Sequence, residues 1–434
     1  MTENNSNTNN TSPSPVGEDW GGVYEIMAPV GSPECFAAAL QAGADSIYFG
    51  IEQLNMRAHS ASTFTKDDLR RMADECHSRG VKAYLTVNTI IYPEDMDTMR
   101  SIIDAAKASG IDAVIAADVA VLQYCRQVGQ EVHLSTQLNI SNAEALKFYA
   151  QYADVVVLAR ELTLSQVKQI HRAIEAENIC GPSGKPVRIE MFCHGALCMA
   201  ISGKCYMSLH NTTRSANRGE CMQLCRRGYL LRDYETDNEL LVDNKYIMSP
   251  KDLKTVGFMD RLVEAGVRVF KIEGRARSAE YVKTVVECYR EALDRVLAGT
   301  WNEECRTLWD DRLATVFNRG FWDGYYQGAR LGEWSEVYGS QATEKKVYVG
   351  RGVKYFSRLG VGEFAIEASE IHVGDRLLVT GPTTGAMYID ATEIRYELEP
   401  VETARQGWRV SIPVPAKIRP ADKLFRIDKT VNKL

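Results

Sequence analysis

From Glu25 onward the chain repeats one rhythm: an amphipathic segment ends at a glycine or polar break, and a short apolar run follows. The runs are Glu25–Val30, Ser46–Ile51, Val81–Asn88, Ala113–Ala117, Val132–Thr136, Val155–Ala159, Val187–Phe192 and, later, Val267–Glu273. Helix-period segments such as Lys66–Ser78, Met96–Ser109, Asn142–Tyr149 and Ser165–Ala173 lie between them, with Ser249–Ala265 before the last run and Ser278–Leu297 after it. The first helix opens at Ser32-Pro33-Glu34, which supplies an N-cap, a proline at N1 and a first-turn acid. Strands alternating with helices imply parallel pairing, and eight such strands predict an α/β fold of the (β/α)8 TIM-like barrel type. An open doubly wound sheet is the alternative, but it usually needs fewer strands and a Gly-rich first turn, and no GxGxxG is present.

The pattern changes after about residue 345. Short alternating runs (Lys346–Val349, Gly362–Ile366, Asp375–Val379, Ala386–Ile389, Thr392–Tyr396, Arg409–Ile412, Lys423–Ile427) are separated by turns such as Val373-Gly374-Asp375, and predict a small closed β-barrel. Its segment Ile371–Gly385 resembles the second-domain barrel of translation GTPases, an interaction module near tRNA. Four regions follow: a disordered tail at 1–22, a barrel at 23–300 carrying a Cys-rich insertion at 193–230, a docking segment and linker at 301–344, and a β-barrel at 345–434. Within 301–344, Phe317–Gly328 is rich in aromatic residues and glycine and reads as a loop docked on the barrel.

The insertion organises the chemistry. Cys193, Cys198, Cys205, Cys221 and Cys225 lie in it, just after Cys180, and Gly195, Gly203 and Gly219 mark tight turns. Thiols gathered in this way either pair as disulfides or hold a metal, and the compartment decides. The N-terminus has no basic n-region and no apolar core, and no apolar run reaches membrane-spanning length, so the expectation is a cytoplasmic chain with no membrane partner. A reducing cytosol favours metal over disulfides. Cys198, Cys205, Cys221 and Cys225 contain no CxxC knuckle, so structural zinc stays open but is not indicated. A [4Fe–4S] cluster tolerates wider spacing, and free buried thiols remain open. Cys35, Cys76, Cys125, Cys288 and Cys305 fall in or beside predicted helices and read as small core hydrophobes.

The insertion starts at the C-terminal end of the seventh strand, the end at which barrels build their active sites. Polar residues at the other strand ends should face the same mouth: Asn55, Arg57, Asn88, Asp118, Gln137, Arg160, Glu161, His194, Lys271, Glu273 and Arg275. Neither HExxH nor GxSxG occurs, and Cys193 and His194 are strand neighbours that point to opposite faces, a poor nucleophile–base pair. The net charge of −6 does not advertise a polyanion partner, but its distribution does. His194–Leu230 carries five Lys+Arg against one acid, and Gln341–Leu434 carries 15 against 12.

Glu190-Met191-Phe192, Gly195-Ala196-Leu197-Cys198, Gly203-Lys204-Cys205 and Ser208 resemble the signature of the U32 peptidase-like family. Ala28-Pro29, Leu54-Asn55-Met56-Arg57-Ala58, Ser249-Pro250-Lys251-Asp252-Leu253, Lys271-Ile272-Glu273-Gly274-Arg275 and Phe317-Asn318-Arg319-Gly320-Phe321 extend the likeness. The family was first labelled as collagenase-like peptidases. The resemblance implies iron–sulfur hydroxylases acting on RNA or quinone precursors, with prephenate as oxygen donor and an electron donor not identified. The branch with a C-terminal barrel is similar to the prephenate-dependent hydroxylase of tRNA wobble uridine, while another branch acts on ribosomal RNA cytidine. Carried over by motif, Cys198, Cys205, Cys221 and Cys225 become ligands of a [4Fe–4S] cluster. Arg57, Arg160 and Arg275 become candidates to grip prephenate's two carboxylates, and Tyr48, Asn88 and Gln137 candidates to receive a flipped pyrimidine. A peptidase remains the alternative.

Overall fold

The computed structural model describes residues 24–51, 53–57, 64–242, 248–335 and 339–430; the expected tail at 1–22 and Ala58 of the Leu54–Ala58 motif lie outside them. Eight parallel strands close into a barrel: β1 (Glu25–Pro29), β2 (Ser46–Phe49), β3 (Lys82–Val87), β4 (Ala113–Ala116), β5 (Val132–Leu134), β6 (Val155–Val157), β7 (Arg188–Ala196) and β8 (Val267–Ile272). Each pairs with the next, and β8 closes the ring on both β1 and β7. Helices such as Pro33–Gln41, Asp68–His77, Met96–Ala108, Leu164–Ala176 and Ala279–Leu297 cover the outside. Their ends follow local chemistry. The Ser32 hydroxyl accepts from Cys35 N at 3.3 Å, and Asp118 caps the helix Val119–Val128 by accepting from Ala120 N at 2.9 Å. Asp118 therefore serves the backbone rather than the mouth. Among the described residues no helix is long and apolar enough to cross a membrane.

Two expectations need correction. The seventh strand does not stop at Phe192 but runs to Ala196, and residues 249–265 are not one helix. Instead Asp252–Lys254 forms a strand antiparallel to the end of β7, pairing Asp252 with Ala196 and Lys254 with His194. A 3-10 turn at Val256–Phe258 and the helix Met259–Glu264 follow. Thr255 N and its hydroxyl both donate to the Cys193 carbonyl, at 3.1 and 3.0 Å, so the backbone of this segment is satisfied by β7 rather than by a helix. Gly195 makes the crossing possible. At φ +102° it lets Glu273 N reach the His194 carbonyl at 2.8 Å, and a Cβ there would stand 2.3 Å from Glu273 O.

Residues 301–344 hold more structure than a linker. The helix Glu303–Thr315 packs on Ala279–Leu297 through Trp309, whose indole donates to Glu291 at 3.0 Å, and Phe321–Trp322 adds a short strand beside Asp252–Lys254. Farther on, Glu344–Phe356 is a long strand bent by two register shifts, which lets it pair with both Lys423–Lys429 and Val361–Ile366 in an eight-stranded antiparallel sheet. That sheet wraps its own core of Val349, Phe364, Leu377, Ile394, Ile412 and Leu424. Its opposite face joins the large core through Leu378 and Ala386, and Gln41 Nε2 donates to Thr384 O at 3.3 Å. The predicted run Thr392–Tyr396 shortens to Arg395–Tyr396, and the ribbon Ile371–His372 with Thr403–Ala404 is additional.

Candidate active site

A cavity of about 310 Å³ opens at the C-terminal ends of the barrel strands, roofed by the Cys-rich insertion. Cys198, Cys205, Cys221 and Cys225 all line it, the first three from loop segments and the last from the 3-10 turn Leu224–Arg226. The roof is tied down at several points. Arg218 pairs with Asp95 and donates to Ile90 O at 2.8 Å, Asn217 Nδ2 donates to Gly203 O at 2.6 Å, and Met222 N donates to the Ser208 hydroxyl at 3.0 Å. Gly203 sits directly on Gln137, so a Cβ there would press its side chain at 3.0 Å.

Arg57, Asn88, Gln137, Arg160, Glu273 and Arg275 all line the same cavity, as do Tyr48 and Lys271. Glu273 is their hub. Its carboxylate takes Arg57 Nη2 at 3.1 Å and the Tyr48 hydroxyl at 3.3 Å. Burial opposes its charge, but Arg57, then Arg160 and Arg275, outweigh burial and hold it below the usual carboxylate range. Burial, reinforced by Glu273, pushes the Tyr48 phenol well above its ordinary value, so it remains a donor. Arg275 donates to Asn55 Oδ1 at 3.1 Å and Thr86 Oγ1 at 2.9 Å. Arg160 lies 3.9 Å over the Phe192 ring and donates to Ala196 O at 3.4 Å, leaving its Nε buried with no hydrogen-bond partner. Along another wall Asn88 Oδ1 accepts from Met56 N at 3.2 Å and Gln137 Nε2 donates to Asn88 O at 3.1 Å, while Ser135 bonds to Gln137.

His194 is the exception. It is buried outside the cavity, 3.3 Å from the Tyr289 hydroxyl and among the rings of Tyr281, Tyr289 and Phe321. The irregularity in the β7–β8 pairing, where Lys271 faces Phe192 but Ile272 faces His194, breaks the alternation of β7 at Cys193 and turns His194 away from the mouth. Burial, aided by Lys254 and Arg277, pulls its imidazole down to about 3. It is therefore neutral in the fold but protonated below about 6.5 when unfolded, so its contribution to stability is complete above that pH and is lost as pH falls towards 3, by roughly 1.4 kcal/mol per pH unit. His194→Gln should flatten this acid limb in chemical denaturation between pH 6.5 and 4; an unchanged limb would refute the assignment. Cys193 is equally internal, its thiol pushed well up by burial and donating to Lys271 O at 3.4 Å. Glu161 faces a smaller neighbouring pocket beside Trp322, Tyr325 and Trp334.

Three cations at the cavity were not among the residues singled out for it: Arg226, Arg277 and Arg319. Arg226 follows Cys225 directly, and Arg319 lies in the aromatic, glycine-rich segment; placing that segment at the mouth would have found it. Seven cationic side chains thus line the cavity: Arg57, Arg160, Arg226, Lys271, Arg275, Arg277 and Arg319. Three carboxylates offset them: Glu273, Glu190 on Lys271 at 2.7 Å, and Asp252 between Arg319 at 3.2 Å and Arg277 at 3.9 Å. A surplus of four positive charges remains, and a cleft of that kind attracts polyanionic ligands. No histidine and no aspartate stands among the described lining residues.

The thiols can be tested for a metal. Among the described residues no three His, Cys, Asp or Glu side chains gather as a single ion would require. The four lining thiols still sense one another. Burial raises the Cys225 thiol; Arg226 opposes this, while Cys198, Cys221 and Cys205 add to it. Four sulfurs spread around one cavity, beside surplus positive charge, suit the wide corners of an anionic iron–sulfur cluster.

The sequence model described as Peptidase family U32 matches residues 31–336. A Porphyromonas gingivalis protein named Collagenase is 63% identical over 94% of this chain and 98% of its own length. A Bacillus subtilis protein named tRNA hydroxylation protein P1 is 33% identical over 76% of this chain and 77% of its own. An Escherichia coli protein named 23S rRNA 5-hydroxycytidine C2501 synthase is 34% identical over 71% of this chain and 46% of its own.

Proposed function

The chain belongs to peptidase family U32, and from that premise we propose that it is a cytoplasmic RNA hydroxylase that converts a tRNA wobble uridine to 5-hydroxyuridine, with prephenate as oxygen donor. The observation that carries the reading is the convergence of four thiols and a surplus of arginine on one cavity. Relatives named for tRNA and ribosomal RNA hydroxylation support RNA as the substrate class. The relative named Collagenase is more similar in sequence, but among the described residues no histidine lines the cavity to serve its thiols as a base, and Cys193 and His194 are both buried away from it.

In this reading Cys198, Cys205, Cys221 and Cys225 hold a [4Fe–4S] cluster. When bound, such a cluster supplies one-electron transfer, with an external electron donor still to be identified. The protein's own residues do the rest. Arg160 and Arg275 grip the two carboxylates of prephenate, and Arg57, held by Glu273, completes the cationic wall. The phenol of Tyr48 and the Asn88–Gln137 wall orient the pyrimidine, and the insertion roof limits water. Incubating anaerobically purified protein with prephenate, a reductant and tRNA should form 5-hydroxyuridine. Formation of 5-hydroxycytidine in ribosomal RNA instead would reassign the substrate, and peptide cleavage without either nucleoside would return the chain to hydrolysis.

The C-terminal sheet is assigned to RNA docking. Removing everything after Gly339 should leave a closed barrel that keeps its metal but binds tRNA more weakly, with a shallower dependence of log K on log salt. It should also be less soluble, because the seam that meets Leu378 and Ala386 is exposed. Unaltered affinity and salt slope would refute the docking role.

A further inference from the structure

The barrel interior below the mouth contains titratable groups that the proposed chemistry leaves unused. Lys271 Nζ faces the cavity and pairs with Glu190 Oε1 at 2.7 Å. The other oxygen of Glu190 stands 3.9 Å from His133 Nδ1, with both side chains fully buried. On the far side of the ring, His133 Nε2 stands 3.4 Å from Glu131, whose side chain is 44% exposed. Glu131 precedes β5, at the end of the barrel opposite the mouth, whereas Lys271 is near the C-terminal end of β8. Four acid–base side chains therefore run from the cavity through the barrel to solvent on its other face.

Ordinary packing does not account for this arrangement. Glu190 Oε2 and both nitrogens of His133 are buried without a well-formed hydrogen bond, as is the Tyr84 hydroxyl, whose ring lies 4.4 Å from that of His133. Unsatisfied buried polar atoms are costly, and several in one place point to a role that needs them available. A barrel interior is usually filled with branched apolar side chains, as the neighbouring layer of Ala113, Ile115, Val155 and Val269 is here.

We propose that Lys271, Glu190, His133 and Glu131 form a proton relay that connects the cavity to solvent at the opposite end of the barrel. Each transfer breaks one N–H or O–H bond and makes another. A proton leaving the Lys271 ammonium for the cavity is replaced through Glu190, then, across the 3.9 Å gap by a bridging water or a small side-chain shift, from the His133 imidazolium, which recharges from Glu131 and water. The chain runs in reverse when the cavity releases a proton. Lys271 meets the reacting groups, and the other three act through it. Charges facing His133 come from several strands: Glu131 beside it, Glu190 and Arg188 on β7, Lys82 on β3 and Glu25 on β1.

The relay rests on the proposed hydroxylase reading for its purpose but not for its test. In ¹⁵N-histidine NMR of the full chain, with the His133 signal identified by its loss in His133→Gln, the ring should titrate with bulk pH despite its burial. Glu190→Gln, which removes a nearby negative charge, should lower the midpoint; Lys271→Met, which removes a positive one, should raise it. In the modification assay His133→Gln should lower turnover about tenfold or more and delete the pH limb that follows the NMR midpoint. A His133 ring that does not titrate, or one indifferent to Lys271→Met, would overturn the relay. So would a His133→Gln enzyme with lower thermal stability but an unchanged pH profile. If wild-type protein modifies no RNA at all, the hydroxylase reading fails and the NMR titration alone decides the relay.

Discussion

Replacing Cys198, Cys205 or Cys221 by serine is expected to remove bound iron and RNA modification together, to background, and Cys225→Ser to do the same. Each thiol lines the cavity, and an alkoxide is a poor replacement for thiolate at a soft iron centre. The controls are Cys35→Ser and Cys288→Ser, buried in the helices Pro33–Gln41 and Ala279–Leu297, which should keep their iron. Iron and sulfide analysis of anaerobically purified protein, with its visible spectrum, reads the outcome. Stoichiometric zinc without iron in the wild type would refute the cluster, and retention of iron in Cys205→Ser or Cys221→Ser would refute that ligand.

The second large effect is expected at Arg160. Its guanidinium lines the cavity, rests on Phe192 and donates to Ala196 O at 3.4 Å, so its outer N–H groups face a bound ligand. Removing one partner of a buried charge pair costs about 2–5 kcal/mol, which corresponds to roughly 30- to 5,000-fold in kcat/KM for prephenate. Arg160→Met should show that loss mainly in KM, with iron content unchanged, and Arg160→Lys should restore only part, because an ammonium cannot bond a carboxylate through two parallel N–H groups. An unchanged KM would remove Arg160 from the carboxylate site. Loss of iron in Arg160→Met would make it a support for the roof instead.

Much of the barrel was legible because its strands are short apolar runs punctuated by glycine, and parallel β-α repetition leaves few other topologies. Placing the insertion at the mouth followed from strand count alone. The errors cluster where tertiary contacts override local pattern. Residues 249–265 have helical spacing, but Asp252 is drawn between Arg277 and Arg319 and Thr255 is bound to the Cys193 carbonyl, so the first part of the segment becomes a strand. That added strand also prolongs β7, and a register shift between Phe192 and His194 against β8 then carries His194 away from the cavity among aromatic rings. Arg226, Arg277 and Arg319 were visible as residues but not as neighbours, because they converge from three separate loops. Two relay side chains were hidden for another reason: His133 and Glu190 sit inside runs that read as strand core, and only the closed ring shows that they face one another.

The nucleosides of the cell test the hydroxylase activity most directly. Mass spectrometry of tRNA and ribosomal RNA from strains lacking this protein, complemented or not, should show 5-hydroxyuridine and its derivatives missing from tRNA, restored by the wild-type chain and not by Cys205→Ser, and missing again when prephenate synthesis is blocked. Unchanged nucleosides in both RNA pools, together with a purified protein that cleaves peptides, would contradict it.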